Sequence, residues 1–249
     1  MTMYDDQFFS NILENGTTIK SSGTSGQSKE FFQSPQKLLA ASKVAQEVQQ
    51  LTDKSRIYTC CKLTHAGGLL AQTLPGWLAK SSIVIEPFSA FEFVKKINNF
   101  THSHITPLHA KAIMLTKGFR DLDLSGVTIM CGADPVTWDI IEAFVQRGAR
   151  LITNWGMSEI GPVAINYTFT DLDQVKEIKS KSPSNTTIMG NNVYCDYLVS
   201  PSGSLIVKGD ISIFDDWYDT KDIVAFENGI FYYKGRAGMD IDLNAPKKG

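Results

Sequence analysis

The spacing of apolar positions divides the chain into two textures. Between residues 30 and 153, short apolar runs alternate with longer segments of helical period. Residues 56–61 read as a buried strand. Residues 82–85 are β-branched and stop before Pro87, and residues 104–106 form a short strand ending at Pro107. Residues 127–131 and 150–153 are further strands. Between them, residues 68–79 read as helical, with Pro75 ending or kinking the helix. Residues 91–100 and 108–116 also carry helical spacing. Asp134 is expected as an N-cap with Pro135 in the first helical position, and the helix runs to about Arg147. Repeated strand–helix–strand units of this length predict a parallel sheet with helices on its faces.

Beyond Gly161 the helical period mostly disappears. Residues 193–199, 204–208, 223–227 and 230–234 read as short strands, with Pro201-Ser202-Gly203 and Glu227-Asn228-Gly229 as turns of two hairpins. Residues 171–184 are charged and read as surface, and residues 244–249 as a frayed polar tail. The expected class is α/β: a mostly parallel sheet flanked by helices, followed by a smaller β-rich subdomain. The expected division is a core over 1–161, a β-rich part over 162–240 and a tail over 241–249.

Composition narrows the function more than the fold. The chain has 249 residues, 43% hydrophobic and 20% charged, which suits a globular core and not disorder. Lys plus Arg is 24 against Asp plus Glu 26, a net charge of -2, which argues against a protein built to bind nucleic acid. No apolar run reaches the roughly 18–20 residues of a membrane helix, and the N-terminus carries Asp5 and Asp6 without a basic segment. A cytoplasmic location without a membrane partner is expected.

The cysteines are Cys60, Cys61, Cys131 and Cys195, with no CxxC pair, so neither a zinc ribbon nor a thioredoxin motif is expected. Cys60 and Cys61 would point to opposite faces of a strand, as free thiols of a reduced protein. His102 and His104 would share a strand face, with His109 following. No carboxylate or cysteine stands at a convincing spacing from them, so they read as structural or surface histidines.

Candidate chemistry begins at Ser21-Ser22-Gly23-Thr24-Ser25-Gly26-Gln27-Ser28-Lys29, after a strand over 17–20. Glycines let backbone N–H groups approach a phosphate, hydroxyls donate further bonds, and lysine adds charge. The spacing is not that of a Walker A loop, and composition alone also allows a flexible linker. Cys131-Gly132-Ala133-Asp134-Pro135 follows a strand, where small residues let the backbone approach a flat ring. Further on stand Asn154-Trp155-Gly156-Met157-Ser158-Glu159 and Trp217-Tyr218-Asp219-Thr220-Lys221-Asp222. The strand over 203–209 precedes the latter, and residues 229–236, ending Gly235-Arg236, follow it. Leu63-Thr64-His65-Ala66-Gly67-Gly68 comes after the first strand of the core.

Taken in order, these segments resemble the motifs of the adenylate-forming, AMP-binding enzymes, in particular acyl- and aryl-CoA synthetases such as o-succinylbenzoate-CoA ligase. The resemblance implies a phosphate loop over Ser21, Ser22, Gly23, Thr24, Ser25 and Gly26, with Lys29 supplying charge. It implies that Gly132, Ala133 and Asp134 lie along adenine, with Cys131 standing where the family has glycine. Asn154, Trp155, Gly156 and Met157 would complete the adenine site, with Trp155 stacking. Ser158 would contact the α-phosphate and Glu159 would hold Mg²⁺, a role that suits a hard carboxylate oxygen. Asp222 would accept from the ribose hydroxyls, although Lys221 replaces the family's glycine. Arg236 would contact ribose and phosphate. His65, Gly68 and Gly161 would line the acid pocket, although Lys62 stands where a proline is usual. Ser204 and Ile230 are further departures from the family pattern. The amino-acid-activating branch carries an Asp near His65; its absence here disfavours amino acid substrates.

The resemblance covers residues 16 to about 241, and family members are about twice as long. It implies a chain truncated at both ends. At the family's hinge, Gly238 and Met239 stand for two acids and Asp242 for a lysine, and neither Lys247 nor Lys248 fits the lysine of the family's C-terminal domain. The expected function is a ligase that binds ATP or AMP with Mg²⁺ and activates a small carboxylic acid as an acyl- or aryl-adenylate, with CoA as acceptor thiol. The alternative is a non-catalytic nucleotide- or acyl-adenylate-binding module. A homodimer contact or a separate chain would supply the missing domain.

Overall fold

The structure, a computed structural model, describes residues 5–21 and 29–238. Ser22, Gly23, Thr24, Ser25 and Gly26 of the expected phosphate loop lie outside the described residues, as do Met239, Asp242 and the expected tail. The chain opens with helix α1 (Asp6–Asn15), capped by Asp5, whose carboxylate accepts from the Phe8 N–H at 3.0 Å. The antiparallel hairpin β1 (Thr17–Lys20) and β2 (Glu30–Gln33) and helix α2 (Pro35–Gln49) follow.

The core unit is a seven-stranded sheet. Its parallel part comprises β3 (Arg56–Thr59), β4 (Ser82–Ile85), β5 (His102–Ile105), β6 (Thr128–Gly132) and β7 (Arg150–Met157). Two antiparallel strands extend it: β8 (Gly161–Phe169) and, beyond β9 (Thr187–Gly190), β10 (Asn192–Val193). In space the order is β10-β8-β7-β6-β5-β3-β4. The chain therefore runs outward from β3 to β4, then returns past β3 to β5 and continues the other way. Helical connections α3 (Ala66–Gly68), α4 (Leu74–Leu78), α5 (Ala90–Lys96), α6 (Pro107–Met114) and α7 (Trp138–Val145) cross between strands.

Both faces of this sheet are covered, which is why β6 and β7 read as continuous apolar runs instead of alternating ones. Ile129, Cys131 and Leu151 enter one cluster with Phe93, Ile113, Ile140 and Phe144 of the connecting helices. Their neighbours Met130 and Ile152 enter another with Ala45 and Val48 of α2. Successive residues thus point to opposite layers, as the pleat requires.

A five-stranded antiparallel sheet packs beyond it, in the order β11-β12-β13-β14-β9. Its strands are β9 with β11 (Asp196–Val199), β12 (Ser204–Lys208), β13 (Tyr218–Glu227) and β14 (Ile230–Arg236). The β13–β14 turn places Asn228 at φ 53 and Gly229 at φ 78, the left-handed pair a tight hairpin needs.

The expected α/β class is therefore what the chain adopts, with four local corrections. The strand over 56–61 stops at Thr59, so Cys60 and Cys61 leave the pleat and do not alternate. The helix expected from Asp134-Pro135 begins at Trp138 with Thr137 as cap, because Ala133 at φ 74 turns the chain first. The strand over 193–199 is broken into β10 and β11, which belong to different sheets. The change to antiparallel pairing does not coincide with a change of sheet at residue 161, since β8 pairs with β7 inside the larger sheet. The charged segment over 171–184 is helix α8 (Leu172–Lys181), whose Lys179 pairs with Glu142 of α7 at 2.7 Å.

Candidate functional site

At the carboxyl ends of β6 and β7 the two sheets meet. Strand pairing sets Gly132 opposite Asn154. A Cβ on Gly132 would stand 2.3 Å from Asn154 Oδ1, so only glycine lets the buried amide take this place. Asn154 Nδ2 donates to the Pro162 carbonyl at 2.7 Å, while its Oδ1 is buried with no partner among the described residues. Next comes Ala133, a non-glycine residue in the left-handed region, where strain collects at binding sites. Gly156 is needed for a different reason. A Cβ there would lie 2.2 Å from the Gly161 carbonyl oxygen and 2.5 Å from the Pro162 carbonyl carbon.

Past Gly156 the β7–β8 turn presents Ser158 and Glu159, both half-buried. The Ser158 carbonyl accepts from Gln33 Nε2 at 2.8 Å, and the Glu159 carbonyl accepts from the Ile213 N–H at 2.8 Å. The turn is thus tied to the β1–β2 hairpin on one side and to the antiparallel sheet on the other. Gln33 was not singled out from sequence; no local signal marks a side chain whose partner lies 125 residues away. Burial raises the Glu159 carboxyl above its usual range, and the positive charges of Arg236 and Lys29 act against that rise.

The antiparallel sheet contributes Asp222 and Arg236, paired in register on β13 and β14. Asp222 is buried; its Oδ2 accepts from Trp155 Nε1 at 3.0 Å and its Oδ1 lies 3.6 Å from Arg236 Nε. Burial raises the Asp222 carboxyl, while the Trp155 bond and Arg236 pull it down. Arg236 also donates to the Thr220 carbonyl at 3.2 Å. Lys221, where the resemblance calls for glycine, nonetheless sits at φ 64. Its ammonium is 2.6 Å from Asp219, which also accepts from Ser204 at 2.5 Å. These two donors hold the Asp219 carboxyl down at about 2. Tyr218 and Tyr233, given no site role from sequence, lie within electrostatic reach of Asp222 and Arg236.

Lys29 closes the hairpin. Its N–H donates to Ser21 Oγ at 3.1 Å and its carbonyl accepts from the Ser21 N–H at 2.8 Å, so the two residues are held together. The same hairpin is bonded to the loop before α3: the Lys20 N–H donates to the Thr64 carbonyl, and His65 Nδ1 lies 3.0 Å from the Lys20 carbonyl. His65 is therefore engaged with backbone beside the loop. Gly68 packs where a Cβ would be 2.3 Å from the Lys62 carbonyl oxygen, and Gly161 at φ 81 faces Ile211.

Of the residues expected from sequence, Ser21, Lys29, Gly132, Ala133, Asn154, Trp155, Gly156, Met157, Ser158, Glu159, Asp222 and Arg236 lie on the strand ends and turns around this junction. His65 and Gly68 stand one loop away. His102 and His104, expected as structural or surface histidines, are both buried. His102 lies 3.0 Å from the Gln49 carbonyl and 2.8 Å from Thr101 Oγ1, and His104 Nδ1 lies 3.5 Å from Cys61 Sγ. Burial drives the His104 imidazole down to about 3, so it is neutral. The neighbouring Cys61 thiol, and after it His109, draws the Cys60 thiol below its usual range against the effect of burial.

No described helix is long and apolar enough to cross a membrane. The chain is 24% identical over 205 residues to indoleacetate–CoA ligase from Aromatoleum aromaticum, covering 80% of this chain and 40% of that protein. It is 22% identical over 209 residues to a feruloyl-CoA synthase from Amycolatopsis, covering 74% of this chain and 41% of that protein. It thus spans about 40% of the length of these curated relatives. Its fold superposes on O-succinylbenzoate coenzyme A synthetase from Bacillus subtilis, solved in complex with AMP, with a TM-score of 0.71 at 17% identity. That match covers 89% of this chain and 49% of the other. Residues 18–209 match the profile of the AMP-binding enzymes, more than half of the sequence, and the chain belongs to that family.

Proposed function

We propose that this chain binds ATP or AMP at the junction of the two sheets and activates a carboxylic acid as its acyl- or aryl-adenylate. The observation that carries the reading is the convergence of Trp155, Asp222 and Arg236 with Glu159 and Lys29, from strands and turns far apart in sequence. Asp222 would accept from the ribose hydroxyls and Trp155 would offer its ring face to adenine while its N–H holds Asp222 in place. The unpartnered Asn154 Oδ1 is an acceptor suited to an exocyclic amine.

Adenylation forms a bond from a carboxylate oxygen to the α-phosphorus and breaks the bond to pyrophosphate. Negative charge gathers on the phosphoryl oxygens, so oriented cations and N–H donors lower the barrier. Lys29 and Arg236 are those cations here, and Ser158 is the nearby hydroxyl. Glu159 fits a magnesium ion: it is a hard carboxylate, half-buried, and no other described residue's side chain donates to it. Bound there with the phosphates, the ion would offset their charge. The names of the curated relatives favour an aromatic acid and CoA as the acceptor, and no acid stands near His65 to pair with an amino acid's ammonium. A cytoplasmic location belongs to the same reading.

ATP–pyrophosphate exchange with a panel of aromatic and aliphatic carboxylic acids tests the activity. Acid-dependent exchange is expected. Nucleotide binding with no exchange for any acid would replace the ligase reading with that of a binding module.

A further inference from the structure

Cys60, Cys61 and His109 meet at the carboxyl edge of the parallel sheet, on residues the nucleotide reading does not use. The two Sγ atoms and a ring nitrogen of His109 all lie within 4.8 Å of one another. Cys61 Sγ is 3.8 Å from His109 Nδ1 and 3.5 Å from His104 Nδ1. A tetrahedral zinc ion, with bonds of about 2.3 Å to sulfur and about 2.0–2.1 Å to nitrogen, sets its S and N ligands about 3.6 Å apart. Both distances match that edge.

Separate elements deliver the ligands. The chain leaves β3 at Thr59 and turns both thiols toward the end of β5, which carries His104. His109 stands in the first turn of α6, where its N–H donates to Thr106 Oγ1 at 3.2 Å. Its ring lies on Phe88 at 3.8 Å and 12°, so its direction is set by packing. The place in the topology also favours a ligand. β3 and β5 are the pair between which the chain order reverses, and open α/β sheets bind ligands in the crevice outside such strand ends.

We propose that Cys60, Cys61 and His109 bind one zinc ion. Two thiolates and imidazole nitrogen select a soft or borderline cation over Mg²⁺ or Ca²⁺. The thiol protons leave to solvent on binding. The ion would strap the end of β3 to α6 and brace the loop over 60–65. The site is independent of the nucleotide proposal, and either can fail alone.

The test uses the full chain, reduced, stripped with a chelator and titrated with Co²⁺, whose visible bands report tetrahedral thiolate coordination. One equivalent of Co²⁺ is expected to develop these bands and to be displaced by Zn²⁺. Cys61→Ser and His109→Gln, each checked for folding by circular dichroism, should lose affinity about tenfold or more, while Cys195→Ser keeps it. Absence of the bands in the wild-type chain would overturn the proposal. So would their retention in folded Cys61→Ser, or a Cys60–Cys61 disulfide that forms in place of metal uptake.

Discussion

Replacing Trp155 by phenylalanine isolates the contact that ties the two sheets together at the site. The substitution keeps an aromatic face and removes the Nε1–H that donates to Asp222 at 3.0 Å. Asp222 is 7% exposed, so water does not readily replace the lost donor. A hydrogen bond to a charged acceptor contributes about 1.5–3 kcal/mol, and Arg236 at 3.6 Å compensates only in part. With a urea slope of about 3 kcal/mol/M for a chain of this size, the midpoint should fall by about 0.5–1 M at pH 7.

The pH dependence sharpens the test. Burial raises the Asp222 carboxyl in the folded state, and the Trp155 bond works against that rise. A carboxyl raised on folding costs stability above its folded pKa, and that cost disappears once it is protonated. Trp155→Phe raises it further, so the variant's deficit should be full at pH 7 and shrink as acid protonates Asp222. Urea melts of both proteins at pH 7 and near pH 4 give the two differences. Equal deficits at both pH values, or a deficit under about 0.5 kcal/mol at pH 7, would refute the assignment of the bond to a charged, desolvated Asp222.

Other substitutions read other parts of the junction. Glu159→Gln should abolish the Mg²⁺ dependence of ATP affinity while leaving AMP affinity without Mg²⁺ within about twofold, by calorimetry. Gly156→Ala forces a Cβ to 2.2 Å from backbone of β8 that has no rotamer to give, so a loss of about 1–3 kcal/mol or more is expected in denaturant melts. Lys221→Gly relieves a left-handed residue by about 1 kcal/mol and gives up an exposed pair of similar worth, so stability should change little, whereas Lys221→Ala keeps the strain and loses the pair. The low Asp219 carboxyl contributes stability above the unfolded range near 3.8 that is lost as pH falls toward about 2, and Lys221→Ala should diminish that acid-side loss in a pH melt series.

Sequence made the core legible where local chemistry decides the structure. The apolar runs at β6 and β7 and the Asn228-Gly229 turn correspond to demands visible within a few residues. The errors fall where a distant contact or a strand end decides. Asp134-Pro135 has the look of a helix start, but the left-handed Ala133 delays the helix to Trp138. Alternation assigned Cys60 and Cys61 to opposite faces, and the strand ended two residues too soon for that rule to apply. The meeting of Cys61 with His104 and His109 was not legible either, because Cys61 lies 43 and 48 residues from them in the chain. Lys221 looked like a break in the ribose motif, yet it adopts the backbone that glycine would.

The most direct test of nucleotide binding at the sheet junction is calorimetric titration of AMP into the full chain and into Asp222→Asn. The result expected is a single site in the wild-type chain, weakened about tenfold or more in the variant, in line with the loss of a charged acceptor for the ribose hydroxyls. Equal affinity in the two proteins, or no binding by a folded wild-type chain, would contradict it.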